Sequence, residues 1–160
     1  MSDQHFTVAV NGHRVGVTAP PDTPLLWLLR GELGCTSVKY GCGAEQCGAC
    51  STLVDGVSTR TCSLPVSALG GREVVTHEGL EGDDDYEAVV AAVGSHNAGQ
   101  CGYCLPGIVV TLTELRRQGR QLTIDEMARR LDDHLCRCGS YPRILRAAVA
   151  CLGGADDRST

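Results

Sequence analysis

Gly41-Cys42-Gly43-Ala44-Glu45-Gln46-Cys47-Gly48-Ala49-Cys50 is the stretch that decides the fold. Three thiols crowd into nine residues, and a fourth, Cys62, follows after eleven more. The resulting C-x4-C-x2-C-x11-C spacing fits a loop that wraps a [2Fe–2S] cluster with four thiolates. Zinc prefers short C-x2-4-C pairs separated by a longer spacer. Glycine and alanine fill the gaps between these cysteines. A cluster loop must turn backbone N–H groups toward sulfur, which takes unusual φ/ψ angles and close approach, and glycine allows both.

A second set of four follows: Cys101, Cys104, Cys136 and Cys138, spaced C-x2-C-x31-C-x-C. By spacing alone this set is open. Zinc, a redox disulfide or another [2Fe–2S] cluster could each use a C-x2-C pair with a C-x-C pair. Cys35 and Cys151 are left over from the ten cysteines and read as small buried hydrophobes. Structural disulfides are disfavoured, because the N-terminus MSDQHFTVAVNG lacks a basic stretch followed by an apolar one. Without an export signal the thiols suit a reducing compartment, so the cytoplasm is the default location. Export of a folded complex on a partner's signal would place it in the periplasm instead.

The chain has 160 residues, enough for one ordinary domain or two small ones. One Phe, one Trp and four Tyr leave little aromatic bulk for packing. Small cores of this kind are commonly completed by metal sites. The net charge of −5 argues against a nucleic-acid partner, which needs Lys/Arg patches. No segment approaches the roughly 20 apolar residues of a membrane span.

Residues 1–78 read as β-rich. His5–Val10 alternates, Asn11-Gly12 is a two-residue hairpin turn, and His13–Thr18 alternates again. Thr23 stands where it could cap a short helix, Pro24–Gly31. Cys50–Val54 and Val57–Cys62 form a second hairpin around Asp55-Gly56, and Glu73–Thr76 offers a last strand. Residues 79–155 read as four helices: Asp84–Ala98, Leu105–Gln118, Ile124–Leu135 and Pro142–Leu152. Thr123 and Glu126 form a capping box, and Gly153-Gly154 ends the last helix. The junction His77–Asp83 is polar and contains glycine. Residues 156–160 read as a flexible tail. The fold class is α+β, with a β-grasp half followed by a small four-helix bundle.

Three phrases in order carry a resemblance: GCGAEQCGAC, QCGYCLPG from Gln100 to Gly107, and LCRCGSYPRI from Leu135 to Ile144. Together they resemble the iron–sulfur small subunit of the molybdenum hydroxylases, the xanthine oxidase family, over nearly the whole chain. The CGSYPRI ending is most similar to the isoquinoline 1-oxidoreductase and aldehyde oxidoreductase type. The resemblance implies an N-terminal plant-type ferredoxin-like domain and a C-terminal helical domain, each with one [2Fe–2S] cluster. It assigns Cys42, Cys47, Cys50 and Cys62 to an outer cluster and Cys101, Cys104, Cys136 and Cys138 to an inner one. Gln100 and Cys138 match positions against the molybdopterin cofactor of a separate large subunit. No catalytic residue is implied in this chain. Electrons from oxidation of an aldehyde or N-heterocycle would leave the partner one at a time. They would pass through both clusters to a flavin (FAD) subunit or cytochrome c. A free-standing two-cluster ferredoxin and a zinc-stabilised binding module are the competing readings.

Leu105, His134 and Cys35 depart from the family's usual Gln, Asn and Thr. None removes a thiol. His134 reads as a hydrogen-bonding neighbour of the inner site, Tyr103 and Tyr141 as packing around it, and Arg137 as either an interface contact or a solvated charge. His5, His13, His77 and His96 read as surface or loop residues. Arg116, Arg117 and Arg120 read as a solvated helix end, and Asp83–Asp85 as favourable charge at a helix N-terminus.

Overall fold

The computed structural model describes residues 2–154. The flexible tail expected at 156–160 lies outside them. Two hairpins and a returning strand build one five-stranded sheet. β1 (Gln4–Val10) pairs antiparallel with β2 (His13–Ala19) in the register Val8↔Val15 and Val10↔His13. Asn11 and Gly12 turn the chain at φ 51 and 77, as a two-residue hairpin with right-handed strand twist requires. β3 (Ser51–Val54) and β4 (Val57–Arg60) form the second hairpin around Asp55 and Gly56. β5 (Glu73–Val75) lies between them, parallel to β1 and antiparallel to β3, for an order β2-β1-β5-β3-β4.

α1 (Leu25–Gly31) buries Leu25, Leu26, Leu28 and Leu29 against one face of this sheet. Thr23 does not cap it. Pro24 holds the N-cap position, and the first-turn N–H groups of Leu25 and Leu26 donate instead to the carbonyls of Leu64 and Thr61. Tertiary backbone bonds here satisfy donors that a cap side chain would otherwise serve.

The other face carries the helices. α2 (Asp84–Ser95), α3 (Leu105–Arg117), α4 (Ile124–Arg130) and α5 (Tyr141–Cys151) pack around Ile108, Leu112, Met127, Leu131 and Ile144. Leu53 from β3 belongs to this helical core, while its neighbour Val54 belongs to the α1 core. β3 is therefore buried on both faces, which accounts for its unbroken buried pattern. The capping box of Thr123 and Glu126 forms as expected. Asp83 caps α2 by accepting from the N–H groups of Asp85 and Tyr86. α4 is shorter than its periodicity predicted and stops at Arg130. The chain must leave the helix there so that the Leu135 N–H can reach the Cys47 carbonyl at 3.0 Å. Arg116 and Arg117 are not simply solvated, since they pair with Asp85 and Asp83 at the start of α2. Among the described residues no helix is long and apolar enough to cross a membrane.

The junction is a 3-10 turn, His77–Leu80, pinned rather than loose. Glu78 accepts from the Ser37 N–H at 2.8 Å, the Ser37 hydroxyl and the Thr76 hydroxyl, and Asn11 bonds Thr76 from the first hairpin. Burial opposes the Glu78 charge, but the Ser37 and Thr76 hydroxyls outweigh it and hold its carboxyl below the usual value of 4.5. A carboxylate whose folded pKa is depressed contributes stability above its unfolded pKa and loses it as pH falls. Glu78→Gln should therefore lower stability at neutral pH by about 1–2 kcal/mol. It should also flatten the loss of thermal stability of the wild type as pH drops below 4.5, a difference read by melting both proteins across that range.

Candidate metal centres

The first thiol set sits where the loop after α1 enters the sheet. Cys50 and Cys62 are buried beside the start of β3 and the end of β4, Cys47 is half-buried, and Cys42 is exposed. The loop turns its backbone inward. The N–H groups of Ala44 and Gln46 donate to Cys42 Sγ at 3.3 and 3.2 Å, and the Cys42 N–H donates to Cys47 Sγ at 3.3 Å. Gly41 leaves room for sulfur, since a Cβ there would stand 2.5 Å from Cys47 Sγ. The Ala44 N–H above all draws the Cys42 thiol down to about 7. Burial pushes Cys50 up to about 11, with Cys62 beside it. Coordination to iron would offset that burial, because a coordinated thiol is deprotonated outright.

The second set gathers at helix ends. Cys104 is the N-cap residue of α3, and Cys136 and Cys138 lie in the turn before α5. Cys101 is exposed and accepts from the Tyr103 N–H at 3.5 Å. Burial, with Cys136 next to it, pushes Cys104 up to about 12. Gln100 is exposed and lines the same narrow void as Cys101, Cys104, Cys136 and Cys138.

Within each set the thiols lie close together: Cys42 is beside Cys47 and Cys50 beside Cys62, while Cys101 is beside Cys138 and Cys104 beside both Cys136 and Cys101. Four thiolates, two for each of two irons, is the donor pattern of a [2Fe–2S] cluster. The donor sets, and the N–H groups aimed at sulfur, fit two such clusters.

Both sets open onto one cavity of about 350 Å³, lined by Cys42, Cys47, Cys101, Cys104, Tyr103 and Leu135 among others. Three contacts hold its walls together. Leu135 bonds Cys47 as described, the Tyr103 hydroxyl donates to the Tyr40 carbonyl at 2.6 Å, and Gly48 is wedged against α3. A Cβ on Gly107 would stand 2.2 Å from the Gly48 oxygen. Arg137 is exposed at this cavity. Tyr141 packs near the second set and donates to the Leu131 carbonyl.

His134 is buried, but against the first set rather than the second. Its Nε2 meets Thr111 Oγ1 at 3.0 Å and Arg60 Nη2 at 3.3 Å, and its ring covers Gly48 so closely that a Cβ there would lie 2.2 Å from Nδ1. Burial first, and the Arg60 charge second, pull the imidazole down to about 4, so it is neutral at neutral pH. Arg60 also donates to Ser51 Oγ at 2.6 Å and pairs with Asp133. Arg60 carries no motif signal, and Gly48 and Gly107 stand inside the cysteine phrases, but the contacts they make are revealed only by the packing. Cys35 and Cys151 are buried, 7% and 6% exposed, as small hydrophobes should be.

Comparison with known proteins fits this geometry. Residues 8–76 match the family described as 2Fe-2S iron-sulfur cluster binding domain, and residues 76–149 match the [2Fe-2S] binding domain family. The xanthine dehydrogenase iron-sulfur-binding subunit of Escherichia coli O157:H7 is 38% identical over 144 residues, covering 89% of this chain and 90% of that protein. The chain belongs to the iron–sulfur small subunits of the molybdenum hydroxylases. Another of these, the nicotinate dehydrogenase small FeS subunit of Eubacterium barkeri, is 34% identical over 140 residues, 88% of each chain. Among solved structures, quinoline 2-oxidoreductase from Pseudomonas putida 86 contains a chain of matching size with TM-score 0.86 and 28% identity, covering 96% of each chain. As a molybdenum hydroxylase small subunit, the chain is an iron–sulfur electron-transfer component of a multi-subunit oxidoreductase.

The Gly48–Gly107 approach gives a direct test. Gly107→Ala forces a methyl group onto the Gly48 carbonyl and should cost about 1–3 kcal/mol, the usual range for overpacking. Thermal melting of the holoprotein should show the loss, and magnetic coupling between the two reduced clusters should weaken as the loops part.

Proposed function

We propose that Cys42, Cys47, Cys50 and Cys62 hold an outer [2Fe–2S] cluster and that Cys101, Cys104, Cys136 and Cys138 hold an inner one. The corresponding domains are 1–78 and 79–155. Bound there, each cluster would supply a one-electron site, converting two-electron oxidation on a partner into single-electron transfers. Gln100 and Cys138 would lie against the molybdopterin of the large partner. The chain would carry electrons from that partner to an external acceptor, a cytochrome or a flavin subunit. The substrate class is an N-heterocycle or an aldehyde. The relatives named for nicotinate and quinoline chemistry favour the heterocycle.

One observation carries this reading: both thiol sets border a single cavity, so electrons need cross only that gap. The outer set receives three N–H···S bonds within its loop, and donors to sulfur stabilise the more negative, reduced cluster. Such donors suit the outer site to take up an electron. A permanent partner is favoured over free diffusion, because Leu135 is 65% exposed and Tyr103 50% exposed beside the inner thiols. Apolar side chains at such a place are the ordinary core of a stable interface.

Metal analysis of the purified chain should give about four irons and four acid-labile sulfides, two of each per cluster. Zinc without sulfide would refute the assignment. Cys138→Ser in the assembled complex should abolish one of two reduced-cluster EPR signals and leave the outer one; persistence of both would show that Cys138 is not a ligand.

A further inference from the structure

Ser140 is the N-cap residue of α5, a position where serine normally bonds the exposed N–H groups of the first turn. Here it does not. Its carbonyl starts the helix by accepting from Arg143 and Ile144 at 2.9 and 3.0 Å, but its side chain makes no capping bond. The residue is 1% exposed, and its hydroxyl is buried without a hydrogen-bond partner. A buried hydroxyl left unpaired costs about 1–3 kcal/mol, so an unused one signals a missing acceptor.

The place of that hydroxyl identifies the acceptor. Ser140 borders the narrow void lined by all four thiols of the inner set. Ser140 and Cys136 line that void together, and the Ser140 hydroxyl faces the Cys136 sulfur. Cys104 and Ser140 are the N-cap residues of α3 and α5, so two helix N-termini, both electropositive, meet at this void. A four-thiolate two-iron cluster is negatively charged, and more so when reduced. At the inner set the Tyr103 N–H donates to Cys101 Sγ, and the N–H groups of Cys138 and Ser140 bear on Cys136. Beside these backbone donors, the Ser140 hydroxyl is a buried side-chain donor at the void with no other acceptor.

We infer that the Ser140 hydroxyl donates to the Cys136 thiolate of the inner cluster and raises that cluster's reduction potential. The inference rests on the inner set's holding a [2Fe–2S] cluster. Ser140 does not bind iron and takes no part in substrate chemistry; it is a positioning residue that acts through Cys136. A donor strengthens its bond as negative charge accumulates on sulfur, so it favours the reduced state. Removing it makes the cluster harder to reduce. The electron gained comes from the large partner and the electron lost passes to the outer cluster, so no further reactant is needed.

The test is a redox titration of the holoprotein followed by EPR, with both cluster signals resolved. Ser140→Ala should lower the reduction equilibrium of the inner cluster about tenfold, which is 59 mV for a one-electron couple. The outer cluster should not move. Ser140→Thr, which keeps the hydroxyl, should restore most of the loss. Pulsed EPR in deuterated buffer should show an exchangeable deuteron coupled to the reduced inner cluster in wild type and not in Ser140→Ala. Equal shifts in both clusters, an unmoved inner potential, or a Thr variant as impaired as Ala would overturn the inference. So would an Ala variant that no longer binds the inner cluster, since a hydroxyl that only tunes is dispensable for binding. A wild-type protein with a single signal and half the iron would instead remove the cluster assignment itself.

Discussion

The separation of the two thiol sets depends on how closely the Gly48 carbonyl can approach Gly107. Backbone meets backbone at that point, at a distance no Cβ would tolerate. The approach lets the first cysteine loop sink into the helical half, so that Cys47 faces Cys101 and Cys104 across one cavity. Electron tunnelling falls steeply with distance. A gap widened by a methyl group on either side would therefore be felt in rate as well as in stability. The Leu135–Cys47 and Tyr103–Tyr40 bonds brace the same approach from the remaining sides.

β3 makes this arrangement possible by being buried on both faces. α1 and its leucines cover one side, and α3 covers the other through Leu53. Each half alone has a thin core, with few aromatics to fill it. Sharing β3 joins the two cores, and bound metal would add to both, since a site formed only in the folded chain contributes its binding energy to folding. The surface ion pairs of Arg116 and Arg117 with the start of α2 contribute little by comparison, because exposed pairs are worth at most about 1 kcal/mol.

Polar groups buried at the seam have a different task. Arg60 reaches from β4 to Ser51, Asp133 and His134, and the neutral imidazole of His134 closes over Gly48. These residues tie the helical half to the outer cysteine loop. The two halves thus share polar contacts as well as apolar ones, and the orientation of one loop is set by side chains from the other half. Breaking a single partner here leaves another buried polar group unpaired, which is why such networks fix geometry so firmly.

Much of this was legible in the chain itself. Alternation with Asn11-Gly12 and Asp55-Gly56 turns determined the hairpins, because those dipeptides accept the positive φ that the turn needs. The thiol spacing marked out the first cysteine loop, and the Thr123–Glu126 box determined the start of α4. What failed was whatever depended on distant partners. Thr23 yielded its capping role because Leu64 and Thr61 supply carbonyls from elsewhere. α4 stopped early because Leu135 is needed at Cys47. His134 lies two residues before an inner thiol, yet its ring covers the outer loop. The sequence alone determined which residues carry thiols and which turns shape them, because those are local matters of spacing and backbone freedom. Only the tertiary structure decided that the two sets share a cavity, that Gly107 had to be glycine, and that Ser140 keeps its hydroxyl unspent, because each follows from contacts between segments far apart in the chain.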